Sequence, residues 1–220
     1  MTTKRYVSIA AGNFLQPIAD LVAKLIAQHR DSMAEVKANE QEGDYAISTI
    51  LLTVAMFESW LMRIQYDRGE RTDGGFSYYE KLRGKHDWPD LKEVFVLRNT
   101  LAHNHVWEVW YDDSNPQAWV LDHIEHLIGC KTKNFKETVD LRLGRTKAHH
   151  LHIVPSLVDR TDASAVLILI TAAAGALEKA GLLFGGMLHH VAVLTNGTRV
   201  DLHGLSNMLR DNVVKKKAAK

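Results

Sequence analysis

Residues 45–66 read YAISTILLTVAMFESWLMRIQY. Ile47, Ile50, Leu51, Val54, Phe57, Leu61, Met62 and Ile64 recur at helical spacing, which predicts a long buried helix. One acid interrupts the pattern, Glu58. With Glu58 at zero and a step of about 100° per residue, Ile47, Leu51, Val54, Leu61 and Met62 fall within about 60° of it. The projection therefore sets Glu58 along the middle of the apolar stripe. An ionised carboxylate there needs a cation or a hydrogen-bond donor beside it.

A second helix supplies the cation. Pro89 and Asp90 open a pattern carrying Leu91, Val94, Phe95, Leu97 and Leu101, and it ends in LRNTLAHN, residues 97–104. Arg98 projects onto the stripe of Leu91, Val94, Leu101 and Ala102, again a charge on an apolar face, and is a natural partner for Glu58. Asn99 and His103 are four apart and share a neighbouring face. Arg98 and His103 lie about 140° apart on an ideal helix. They converge if the Arg98 stem curls round, if the helix ends near His103, or if two copies of the helix meet. The set holds a fixed cation, a group titrating near neutrality, a carboxylate and an amide. Those are the parts for phosphodiester chemistry without a metal.

Outward from these helices the chain reads as mainly α. Residues 17–39 form a helical pattern with Pro17 in its first turn, Gly43 and Asp44 punctuate, and Asp44 is placed to cap the long apolar helix. Residues 68–75 are turn-rich and 76–83 a short helix. The texture changes over 105–155, a β-containing insertion. HVWEVWYD and QAWVLD flank the turn cluster of Asp112 to Pro116 as a hairpin, and VDLRLG and HLHIV alternate at period two. Thr161 or Asp162 caps an apolar helix running to Lys179 and stopping at Gly181. Residues 182–194 and 202–214 read as helices around Asn196-Gly197, and the basic tail 215–220 as disordered. With four prolines and no linker, residues 1–220 read as one domain.

The 220 residues carry 27 Lys+Arg against 26 Asp+Glu, a net charge of +1, which excludes a protein that coats nucleic acid with its whole surface but not a local basic groove. A single cysteine, Cys130, leaves no disulfide framework and fits a reducing compartment. Residues 1–20 hold no signal-type apolar core, and the longest apolar run, 163–177, falls short of the roughly 20 residues that span a bilayer. The expectation is a soluble cytoplasmic protein with no membrane partner. His123, His126 and Cys130 are spaced i, i+3, i+7, and His149, His150 and His152 lie further along the chain. These open a metal reading, although no CxxC or HExxH accompanies them. Trp107, Trp110 and Trp119 suit either base stacking or packing on the helices.

LRNTLAHN, an Arg-Asn-x-x-x-His motif from Arg98 to His103, resembles the signature of the HEPN superfamily of ribonucleases, and AMFESW with Glu58 resembles its preceding helix. The resemblance covers roughly residues 46–105. It implies a HEPN-like helical bundle, dimeric, with the Arg and His of both protomers lining one cleft. It also implies a metal-independent endoribonuclease of toxin or antiviral-defence type, RNA as substrate, no cofactor, and a cognate antitoxin or inhibitor as further partner. Carried over, Arg98 stabilises phosphate charge, His103 acts as general base or acid, Asn99 positions groups, and Glu58 orients Arg98. The β-containing insertion after His103 departs from compact members. Two other readings stay open: an inactive HEPN-like module binding RNA, a nucleotide or a protein, and a metal-dependent hydrolase using the insertion histidines.

Overall fold

A computed structural model describes residues 10–28, 40–71, 74–84, 86–103, 108–112, 115–122, 132–183 and 190–218. Among them are helices α1 (Ala11–Ala27), α2 (Glu40–Arg68), α3 (Gly75–Arg83), α4 (Lys92–Ala102), α5 (Lys133–Thr138), α6 (Arg160–Lys179) and α7 (Leu202–Ala218). Three two-stranded antiparallel ladders accompany them: β1 (Glu108–Asp112) with β2 (Asn115–Asp122), β3 (Val139–Asp140) with β4 (Arg145–Thr146), and β5 (Ala192–Val193) with β6 (Arg199–Val200). The fold is mainly α.

α2 is the axis, and it touches α1, α3, α4 and α6. Ala46, Ile50, Val54, Phe57, Leu61 and Ile64 run down its buried side at helical period, and Thr49, Met56 and Trp60 widen that side. Burying each large apolar side chain stabilises by roughly 1.5–3 kcal/mol, so a stripe this wide fixes the helix in place. Thr49 tolerates burial because its hydroxyl donates to the Tyr45 carbonyl at 2.7 Å. α1 lies antiparallel on α2, with Ala11 beside Ser59 and Lys24 beside Tyr45, and buries Leu15, Ile18, Val22 and Leu25. α6 buries Val166, Leu167, Ile170, Ala173, Ala174 and Leu177, its alanines keeping the crossing close. By length and apolar content α2 and α6 each reach what a membrane span requires, and about half of each is buried inside this fold.

Several boundaries differ from the sequence reading. α1 starts at Ala11, so Pro17 lies inside the helix, held between buried Leu15 and Ile18. α2 starts at Glu40, so Asp44 is an exposed helical residue and not a cap, and Gly43 is buried, where a Cβ would meet the Val158 carbonyl oxygen at 3.6 Å. The cap of α6 is Asp159, its side chain accepting from the N–H groups of Thr161 and Asp162. The 105–155 insertion contains the expected hairpin, Trp110 opposite Val120 and Tyr111 opposite Trp119, but also a helix, α5.

VDLRLG is a strand only at Val139 and Asp140. There Asp140 Oδ1 accepts from the N–H groups of Arg142 and Leu143, folding the chain into a turn before Gly144 at φ 59. HLHIV contributes one bridge, His152 to Arg145. Residues 184–189 of the helix expected over 182–194 lie outside the described residues, and at its end β5 pairs with β6 around Asn196-Gly197 instead. The Asn196 side chain accepts from the Thr198 N–H, and Gly197 sits at φ 80. α7 continues to Ala218, so most of the expected unstructured tail is helical.

Candidate functional site

α4 crosses α2 so that Arg98 meets Glu58, the Arg98 Nη2 donating to Glu58 Oε1 across 40 residues of sequence. The pairing expected from the two charged positions is present. Its depth is not as projected: the side chains keep 24% and 28% exposure, a flank of the core and not its middle. The buried side of α2 centres on Ile50, Phe57 and Leu61, and Glu58 lies one residue round from Phe57, about 100° away. Met62, projected onto the same stripe, is 52% exposed, and Ile47 and Leu51 are only partly buried. The apolar residues of α2 encircle it, so a stripe centred on Glu58 joins Val54 and Leu61, which the packing buries, to Ile47 and Leu51, which it buries in part, and to Met62, which it leaves exposed.

The Glu58 stem is held by α3. Its first residue, Gly75, comes so close that a Cβ there would stand 3.1 Å from Glu58 Cγ, and Gly74 at φ 84 turns the chain into that approach. On the next residue, Ser59 Oγ accepts from the Ala11 N–H at 3.1 Å, an orphan donor of the α1 N-terminus. The positive ends of two helices therefore reach Glu58 and Ser59. Below Arg98 lies Phe95, the guanidinium carbon 5.6 Å from its ring centroid, and Phe95 packs on Phe76 at 4.9 Å between centroids. The Arg98 Nε is buried without a hydrogen-bond partner. Burial pushes the Glu58 carboxyl above the usual carboxylate range; Arg98, by charge and hydrogen bond, pulls it down, and burial prevails.

Asn99 and His103 are exposed on the same helix. His103 is the C-cap of α4, its N–H donating to the Asn99 carbonyl at 3.0 Å. The helix thus ends at His103. Glu58 and Arg98 touch, while Asn99 and His103 stand free of that contact at the rim.

The other histidines fare differently. His123, His126, Cys130 and Trp107 lie outside the described residues, as do the side chains of Trp110 and Trp119. His150 adopts φ 54, and the His149 N–H donates to Glu93. His152 places Nδ1 3.0 Å from Asp162 Oδ2, and its own N–H donates to Asp162 Oδ1. With Asp159 this makes a group whose ligand-type atoms lie within 4.8 Å of one another. Zinc with bonds of about 2.0–2.2 Å needs ligands nearer about 3.5 Å apart. Both carboxylates already form the α6 capping box.

Two buried acids escaped the sequence reading. Glu42, 1% exposed, binds Arg160, 2% exposed, through Nε at 2.7 Å and Nη2 at 2.9 Å. Glu93, 6% exposed, accepts from the N–H groups of Ala148 and His149, each at 2.8 Å. Arg160, next to a helix cap and before a long apolar run, was the available signal for the first pair. Glu93, in the first turn of an apolar helix, reads equally well as a dipole partner, so nothing marked its burial. Comparison with protein-family models, with curated proteins and with solved structures finds no match.

Proposed function

We propose that the protein is a HEPN-type, metal-independent endoribonuclease that acts in the cytoplasm as a toxin or defence enzyme. One observation carries the reading: Arg98, in an Arg-Asn-x-x-x-His motif at the end of α4, is held by Glu58, the acid of the long helix α2. His103 takes the proton of the ribose 2′-hydroxyl. The 2′-oxygen attacks the adjacent phosphorus, the bond to the 5′-oxygen breaks, and that oxygen receives a proton from the partner subunit's His103 in a C2 homodimer. Arg98 stabilises the charge on the phosphate oxygens, Asn99 positions groups or binds phosphate, and Glu58 fixes the guanidinium. The products are a 2′,3′-cyclic phosphate and a 5′-hydroxyl.

Cleavage of a defined RNA in EDTA tests this. Cleavage survives, a single 2′-deoxyribose spares its own linkage alone, and Arg98→Ala or His103→Ala each lowers the rate on the order of 10²-fold or more. Activity lost in EDTA and restored by zinc or magnesium would favour the hydrolase reading, with His123, His126 and Cys130 of the insertion as its ligands. RNA binding without cleavage would leave the inactive-module reading.

A further inference from the structure

We infer that Phe76, acting through Phe95, is a positioning residue for Arg98: it sets the plane in which the guanidinium meets a phosphate of the RNA substrate. This rests on the ribonuclease reading. Glu58 alone does not set that plane. It receives one hydrogen bond, from Arg98 Nη2 to Oε1, while the Arg98 Nε is buried without a partner. Among the described residues no other group accepts from Arg98. A guanidinium held at one donor can swing about that bond, whereas its rigid fork of N–H groups meets two phosphate oxygens at once only with its plane fixed.

An aromatic pair supplies the second constraint. Phe95 and Arg98 are three apart on α4 and so share a face, and a helical side chain leans back over the turn before it. The guanidinium carbon accordingly lies over the Phe95 ring, 5.6 Å from its centroid. A planar cation resting on a ring face takes its tilt from that ring. The tilt of Phe95 is set in turn by what packs on it. That is Phe76, the two ring centroids 4.9 Å apart and their planes at 41°.

Phe76 belongs to the first turn of α3, directly after Gly75, whose close approach holds the Glu58 stem. Two successive residues therefore bear on the two partners of the ion pair, Gly75 on the acid and Phe76 on the cation. Phe95 is a core residue, 3% exposed, and its ring has a packing role of its own. Phe76 is only partly buried, at the edge of that core, so its ring can be exchanged without emptying the interior.

Two measurements on the full chain test this. Phe76→Leu removes the ring and keeps the apolar character, Phe76→Tyr keeps the ring, and Phe76→Met is a second ring-free variant if leucine unfolds the protein. The first readout is the NMR cross-peak of the Arg98 Nε–H, identified by its absence in Arg98→Lys. Wild type and Phe76→Tyr show it sharp, and in the folded ring-free variant it is lost to exchange with water. The second is cleavage of a defined RNA: kcat falls about tenfold in the ring-free variant with KM unchanged, and Phe76→Tyr cleaves as the wild type. A peak that persists without the ring, a peak lost at unchanged kcat, or equal losses in Phe76→Tyr overturns the positioning and leaves the nuclease reading untouched. A raised KM at constant kcat would make Phe76 a substrate-binding residue and also overturns it. A peak that depends on the Phe76 ring in a protein that cleaves no RNA overturns the nuclease reading and leaves the hold on Arg98.

Discussion

Glu58 is pulled two ways, by a guanidinium that favours its charge and by burial that does not, and burial prevails. Its folded pKa therefore lies above the unfolded one. Below the ordinary glutamate range both states hold the proton and its contribution to stability is complete; as pH rises through the raised value the unfolded chain releases the proton first, and stability falls. Glu58→Gln cannot titrate, yet its amide oxygen still accepts from Arg98. In urea unfolding across weakly acidic pH, the wild type should lose stability relative to Glu58→Gln as pH rises. A relative gain would mean that the Arg98 attraction dominates. Gly75→Ala probes the same contact sterically. Alanine for glycine commonly adds about 0.4–1 kcal/mol through the unfolded state. Here its Cβ meets Glu58 Cγ at 3.1 Å, so the expected sign is reversed, a loss of about 1 kcal/mol in the same assay.

α4 carries the motif at its end and an anchor at its start. Glu93 closes the two N–H groups of the 148–149 turn, tying the histidine-rich segment to the helix that presents Arg98 and His103. Glu93→Ala takes the acceptor from both donors in a part-buried place that water can reach, and should cost about 1 kcal/mol. Hydrogen exchange should show the Ala148 and His149 amides losing protection, and unchanged protection would show that the turn holds itself. Long elements were legible: α2, α4 and α6 emerge from apolar periodicity, and the Glu58–Arg98 contact from one misplaced charge on each of two helices. Short ones were not. Leu141 and Leu143 alternate like a strand, but the Asp140 side chain folds the backbone first, and both leucines end up exposed, at 39% and 53%. Pro17 suggested a helix start, yet tertiary burial of Leu15 and Ile18 carries α1 through it.

At the scale of the whole molecule, Arg160 joins four of the described helices. From the first turn of α6 it binds Glu42 on α2, the Gln28 carbonyl at the end of α1, and Asn212 Oδ1 on α7. Two charges at 1% and 2% exposure are far from water, so their mutual attraction offsets a desolvation cost of similar size. The pair fixes which helix ends meet more than it adds net stability. Removing one partner leaves the other charge buried without this ion pair: Glu42→Ala or Arg160→Ala should each cost about 3–5 kcal/mol. Replacing both with apolar side chains of similar volume, Glu42→Leu with Arg160→Met, should recover most of that loss, the Gln28 carbonyl and the Asn212 amide setting the remainder. A double-mutant cycle in urea measures it. A double variant no more stable than the singles would show that the bonds to Gln28 and Asn212, and not the ion pair, hold the four helices together. Because Glu58 and Arg98 lie elsewhere on α2 and α4, the double variant should keep whatever RNA-cleaving activity the wild type has.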